Sequence, residues 1–303
     1  MLYMGNVNRL IFWILIPLLI FSYISFRIIE WQYFDDGRRN KIANYHSVNL
    51  SNLNDINCLI LGGSNASFGL SAEQMSREDK LNCYNLSLLN EGYSDESYFA
   101  FVKSMPINRK KISFIFYSTV YTLADDKLLS ERIKNNTDNI DIEGDSRFKL
   151  FGVSLASRLA SLLEGNYFSA AQPQYPNPKE RGDFNFELYE NCDAESIKDN
   201  WTLATKQDDL KNWIKANVLF IKNLFQNADV YLVLPSILAK NFDLAEFADL
   251  SNYLKAEANN LSFIYVEQSM FSNVTFLCDG AFHANEIGRK LRTSELLELF
   301  HTE

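Results

Sequence analysis

The stretch LILGGSNASFGLS, residues 59–71, decides how this chain folds. A short apolar run, 58–61, stops at Gly62-Gly63-Ser64 and gives way to a helical pattern. Short apolar runs bounded by Gly, Asn, Asp or Pro have the character of buried parallel strands. A strand that passes into a helix through a pair of glycines sets Ser64 at the carboxyl edge of a sheet, where open α/β sheets bind ligands. The glycines permit a sharp turn, and the amides that follow can face a developing oxyanion. Taken alone, such a turn is more often an ordinary loop.

Working outward, further strand candidates lie at 83–88, 112–120, 230–234 and 263–266. Helical patterns separate several of them. The clearest covers 209–226, where Leu210, Trp213, Ile214, Val218, Ile221, Leu224 and Phe225 recur at helical spacing; others cover 244–258 and 287–300. Strand–helix alternation implies an α/β fold with a parallel sheet, of about five strands here, covered on both faces. Between Tyr121 and Lys206 no strand pattern stands out. A helical stretch at 148–163 precedes the polar and aromatic segment NYFSAAQPQYPNPKERGDFNFELYE. Connections this long are usually functional or disordered. The segment 121–206 reads as an insertion beside the site, either a lid or acceptor-binding surface or a plain exposed loop.

Composition narrows the chemistry. With 303 residues and 47% apolar content the chain can bury one sizeable α/β core plus an appendage. A net charge of −9 argues against nucleic acid as a partner, which needs a basic footprint. Four cysteines, Cys58, Cys83, Cys192 and Cys278, show no C-x-x-C pairing and read neither as a zinc site nor as a disulfide framework. Cys58 and Cys83, each in an apolar run, are expected to be small core residues rather than bridge partners. The three histidines, His46, His283 and His301, with no clustered acidic motif, argue against a metal site.

At the N-terminus, LIFWILIPLLIFSYISF (residues 10–26) carries no charge and lies between Arg9 and Arg27. That is about the minimum of the roughly 17 to 25 residues needed to cross a bilayer. No small-residue cleavage pattern follows it; the next residues are RIIEWQYF, so an uncleaved single-pass anchor is expected. The blander alternative is a buried core helix. Arg9 on one flank against Arg27, Arg38, Arg39 and Lys41 on the other leaves the positive-inside rule undecided. The organisation expected is an anchor at 1–35, a polar linker at 36–56 and an α/β domain at 57–303.

The second chemical element is CDGAFHANEIGRKLRT near the C-terminus, where Asp279 and His283 stand just before the last helix and Asn285 is placed to cap it. A serine hydroxyl is a weak nucleophile at neutral pH and needs a positioned base. An imidazole supplies it, and a carboxylate fixes the tautomer and stabilises the charged ring. For an Asp–His pair in isolation, a surface turn capping a helix is the plainer reading. His46 lies in the linker and His301 at the chain end, so His283 is the histidine placed to act.

Together the segments resemble the SGNH, or GDSL-type, hydrolase superfamily. GGSNASFG resembles its serine block, with Gly63 where Asp is commoner, and DGAFHANEIG resembles its Asp–His block with one extra residue between the two. YNLSLLNEGYS offers Gly92 for the glycine whose amide lines the family's oxyanion hole. The strand KISFIFYSTVYTL has Ser118 and Thr119 where the family supplies an Asn, which makes Ser118 the substitute donor. The resemblance implies a flavodoxin-like three-layer sandwich, a Ser64–His283–Asp279 triad with Gly92 and Ser118 at the oxyanion, and no cofactor.

With the N-terminal anchor, the chain looks most like the members that O-acetylate exopolysaccharides or assist D-alanylation of teichoic acids. That implies an extracytoplasmic, periplasmic-side O-acyltransferase at the cytoplasmic membrane. It would act on a surface polysaccharide or other glycan, with an integral membrane acyltransferase as donor partner. The competing expectations are a tethered carbohydrate or lipid esterase with the same triad, and a non-catalytic glycan-binding scaffold.

Overall fold

In the computed structural model the described residues are Phe21, Tyr23, 45–78, 80–88, 95–119, 178–189, 192, 207–238, 244–267, 270–271, 273–278 and 282–302. They belong to two units, Met1–Val48 and Asn49–Glu303. The expected membrane-crossing run at 10–26 lies outside the described residues apart from Phe21 and Tyr23, as does 121–177 of the expected insertion. Among the described residues no helix is long and apolar enough to cross a membrane. Residues 45–52, within the stretch read as a linker, are helical.

The second unit is built on strands β1 (Cys58–Gly62), β2 (Cys83–Asn85), β3 (Phe114–Ser118), β4 (Asp229–Val233) and β6 (Ile264–Val266), which form one five-stranded sheet in the order β2-β1-β3-β4-β6. Every pairing in it is parallel. Two short strands, β5 (Ile237–Leu238) and β7 (Met270–Phe271), pair separately. Leaving these aside, the strand order is the 2-1-3-4-5 of doubly wound flavodoxin-like sheets. β1 is buried at every residue, which is why its sequence reads as one apolar run rather than an alternation.

Alternation still assigns the two faces. Ile60, Phe116, Tyr231 and Val233 join Ala66, Leu70, Met75, Leu296 and Leu297 in one core. Those partners come from helices α1 (Ser64–Gly69), with Leu70 just beyond it, α2 (Ala72–Met75) and α6 (Glu286–Thr302). On the other face Tyr117 meets Phe99 of α3 (Asp95–Ser104), whose ring stacks 4.4 Å from Phe220 of α4 (Gln207–Leu224). In α4, Ile214, Val218 and Ile221, with Phe225 just beyond, form the buried stripe, at the spacing the sequence showed. The adjoining α5 (Leu244–Leu261) buries Phe247, Leu250, Leu254 and Ala258 in the same way.

The cysteines overturn the expectation that none is bridged. Cys58 and Cys83 open neighbouring parallel strands in register, 4.3 Å apart at Cα, and form a disulfide in the core. Cys192 bonds Cys278 across 86 residues of sequence. Lack of C-x-x-C spacing was a poor guide because both bridges join residues that the fold, not the local sequence, brings together.

Residues 178–189 of the expected insertion pack on the sheet's outer edge. Asn85 of the edge strand β2 donates its amide to Arg181 O at 2.8 Å, and Arg181 Nη1 donates to Asn82 Oδ1, Ser76 Oγ and Cys83 O. Gly182 has φ +80°, and a Cβ there would lie 1.9 Å from Asn85 O, so close approach of the two segments requires glycine. The next residue, Asp183, is buried and accepts from Ser71 Oγ (2.8 Å), Ala72 N (2.7 Å) and Glu73 N (2.9 Å), capping α2. Removing that carboxylate would strand several buried donors. Asp183→Ala is expected to lower stability by about 3 kcal/mol, read as a lower urea midpoint at unchanged m-value.

Candidate active site

Ser64 owes its place to the end of β1. Gly62 pairs with Ser118 of β3 and takes φ +141°, and a Cβ on it would sit 1.8 Å from Ser118 O. Only glycine permits that approach. Its amide donates to the Tyr98 hydroxyl (2.8 Å), and its carbonyl accepts from Leu88 N (3.1 Å). Tyr98 is buried and donates in turn to Leu86 O at 3.3 Å; burial holds its phenol well above the ordinary range, so it stays neutral. The chain then turns at Gly63, whose carbonyl accepts from Ala66 N and Ser67 N, and Ser64 opens α1.

His283 comes from the loop before α6. Leu277 and Ala284 form an antiparallel bridge across it, and Cys278 N donates to His283 O at 2.7 Å. Asn285 accepts from Gly288 N at 2.9 Å, the N-cap contact its position suggested, while its Nδ2 donates to Thr275 O and Leu277 O. The closed loop brings His283 Nε2 to 2.8 Å from Ser64 Oγ, although 219 residues separate them in sequence. His283 is half-buried, which leaves the pair within reach of solvent.

Of the remaining residues singled out by sequence, Ser118 lies at the end of β3, buried, with its Oγ accepting from Asn65 Nδ2 at 3.1 Å. Accepting that bond leaves the Ser118 proton free to be donated elsewhere. Asp279 and Gly92 lie outside the described residues.

Several residues near the pair were not anticipated. The His283 ring lies flat on Phe68, centroids 4.4 Å apart and planes 10° from parallel. Phe68 stacks on Phe184 at 4.1 Å, with Phe186 and Tyr189 meeting it edge-on. Phe68, Phe184, Tyr189 and Cys278 form a small apolar core of their own. Arg289 of α6 closes it, donating to Phe184 O at 2.9 Å with its guanidinium 4.7 Å from the Phe186 centroid. Burial lowers the Arg289 pKa, against which the Asp183 carboxylate works most strongly. A signal for Phe68 was present in the sequence: it stands four residues after Ser64, one helical turn on, and so shares its face. Nothing in the local pattern marked Phe184 or Asp183.

No protein-family model matches the chain, and no curated protein does. Among solved structures it is similar to one from Streptococcus pneumonia described provisionally as a platelet activating factor. That likeness covers 91% of this chain and 98% of the other at 10% identity and a TM-score of 0.45, a level that carries no inference about activity.

Proposed function

We propose that this chain is a serine-dependent acyl-ester enzyme that forms a covalent acyl-enzyme on Ser64. We further propose that the acyl group, an acetyl, passes to a hydroxyl of a surface polysaccharide outside the cytoplasmic membrane. The observation that carries the proposal is the 2.8 Å contact of His283 Nε2 with Ser64 Oγ at the carboxyl end of the sheet. With the ring proton on Nδ1, Nε2 accepts the Ser64 proton as Oγ attacks the ester carbonyl. The tetrahedral oxyanion collapses, the bond to the leaving alkoxide breaks, and His283 returns the proton to that alkoxide. An acceptor hydroxyl then gives its proton to Nε2 and attacks the acyl carbon, the bond from that carbon to Oγ breaks, and His283 returns the proton to Ser64.

In this reading Asp279 holds the Nδ1 proton, and the Gly92 amide and the Ser118 hydroxyl stabilise the oxyanion. The chemistry requires neither metal nor organic cofactor. Two disulfides favour an oxidising compartment, and the apolar run at 10–26 supplies a membrane tether. Both support an enzyme outside the cytoplasmic membrane, fed by an integral membrane acyltransferase. The half-exposure of His283 favours a second reading, a tethered esterase in which water is the acceptor.

The test is incubation of the full-length protein with a small activated acetyl ester, followed by intact mass and peptide mapping. An acetyl group on the peptide holding Ser64 is expected, discharged faster by an oligosaccharide acceptor than by water. Discharge at equal rates favours the esterase. Absence of both adduct and turnover returns the chain to the scaffold reading.

A further inference from the structure

We infer that residues 178–189 serve the site as a brace for the catalytic imidazole, with Phe68 as the positioning residue and the Cys192–Cys278 disulfide as the tether. The inference rests on the acyl-transfer reading of Ser64 and His283 and adds to it a part of the chain that the reading does not use.

The 2.8 Å hydrogen bond to Ser64 sets the distance from Nε2 to Oγ but does not by itself set the plane of the ring. Base catalysis needs both, because the Nε2 lone pair lies in that plane. The Phe68 ring restrains that plane: it lies parallel to the imidazole within 10°. Phe68 is carried by α1, the same helix that Ser64 opens, so nucleophile and platform are set by one rigid element. The base therefore takes its orientation from the serine's own helix rather than from its loop alone.

Phe68 is held from the far side. Phe184 stacks on it at 4.1 Å, and Phe186 and Tyr189 stand edge-on to both rings at 4.9 to 5.8 Å, the geometry aromatic clusters prefer. All three come from 178–189. Residues 178–189 are fixed by the buried Asp183 on α2, and Cys192 is bonded to Cys278. Cys278 is fully buried among Phe68, Phe184 and Tyr189, and its amide donates to the carbonyl of His283 itself. The disulfide thus joins the brace to the strand of the loop that holds the base. Cys192 is exposed, whereas Cys58 and Cys83 are buried, so a mild dithiol would reach this bridge first. Two electrons and two protons from the dithiol would give two cysteine thiols and the cyclic disulfide of the reagent.

The test compares Phe68→Leu with Phe184→Leu in the full-length protein. Both remove one ring of the cluster, but only the first removes the face on which His283 lies. Phe68→Leu is expected to lower kcat by roughly 10- to 100-fold with KM within about twofold, because misorientation by an ångström costs on that scale. Phe184→Leu loosens the platform without removing it, and is expected to lower Tm comparably and kcat by a smaller factor, about 3- to 10-fold.

A spectroscopic readout accompanies this. The His283 ring carbon-bound protons, identified by their loss in His283→Gln, should resonate upfield in the wild type from the Phe68 ring current and lose that shift in Phe68→Leu. Cys192→Ser, which spares Cys58–Cys83, should lower kcat and move the His283 resonance part of the way.

Equal loss of kcat in both Phe variants, or a wild-type kcat in Phe68→Leu, would overturn the positioning role. A wild-type kcat and unmoved resonance in Cys192→Ser would overturn the tether. Should Phe68→Leu not fold, Cys192→Ser decides by the same two readouts. A wild-type protein that forms no acyl-enzyme brings down the acyl-transfer reading instead, while the upfield resonance still tests the stack.

Discussion

Ser64→Ala and His283→Gln should each lower kcat for a small acetyl ester by about 10⁴-fold or more, and the double variant should cost scarcely more than either alone. The reason is the 2.8 Å contact. Without the imidazole the hydroxyl keeps its proton and is a poor nucleophile; without the hydroxyl the imidazole has nothing to activate. Groups that act as one unit lose their effect together, so the two losses do not multiply. A Ser64 that worked alone beside an incidental histidine would give multiplying losses, and that outcome would sink the triad reading. The folded state should be little affected in Ser64→Ala, since only a hydroxyl is removed at the start of α1. Near-UV circular dichroism and the urea midpoint check that the loss is chemical. Residual catalysis above the uncatalysed rate is expected in all three variants, from whatever oxyanion donors remain.

How far such a site can be read from sequence depends on whether its parts are local. Strand β1 and the turn into α1 were legible because a buried parallel strand is a continuous apolar run and a glycine pair ends it. The helices α4 and α5 were legible from period alone. β2 was read three residues too long, since Leu86 and Leu88 stay buried after the ladder has ended at Asn85. The bridge between Cys58 and Cys83 was within reach: each cysteine opens a predicted strand, and adjacent parallel strands in register set their first residues side by side. Cys192–Cys278 was not, because nothing local links an exposed residue of a polar segment to a buried one in the loop before α6. The same holds for Phe184 and Asp183. Their roles arise from where the chain returns to the sheet edge, and composition there, rich in Pro, Asn and charge, gives the pattern of a loop. Asn65 is an intermediate case: its neighbour Ser64 drew attention, but its bond to Ser118 requires knowing that β1 and β3 lie side by side.

Gly62→Ala should destabilise the protein by about 4 kcal/mol, combining backbone strain and overpacking, while Gly63→Ala should shift stability by less than about 1 kcal/mol. The two glycines are adjacent and look interchangeable in sequence, yet the fold treats them differently. At Gly62 the backbone sits at φ +141°, and an added Cβ would lie 1.8 Å from the carbonyl oxygen and 2.9 Å from the carbonyl carbon of Ser118. Neither atom can move away without breaking the β1–β3 ladder. At Gly63 the backbone is extended, and the nearest atom to an added Cβ is Asn65 Oδ1 at 3.4 Å, an ordinary contact. A loss of 4 kcal/mol is a large share of a typical domain's 5–15 kcal/mol, so Gly62→Ala should show in yield and in a much lower urea midpoint. Gly63→Asp, the residue the SGNH resemblance makes commoner there, should fold as well as Gly63→Ala. Similar midpoints for Gly62→Ala and Gly63→Ala would mean that the end of β1 is free to relax. The approach of Gly62 to Ser118 would then not be what sets Ser64 at the sheet edge.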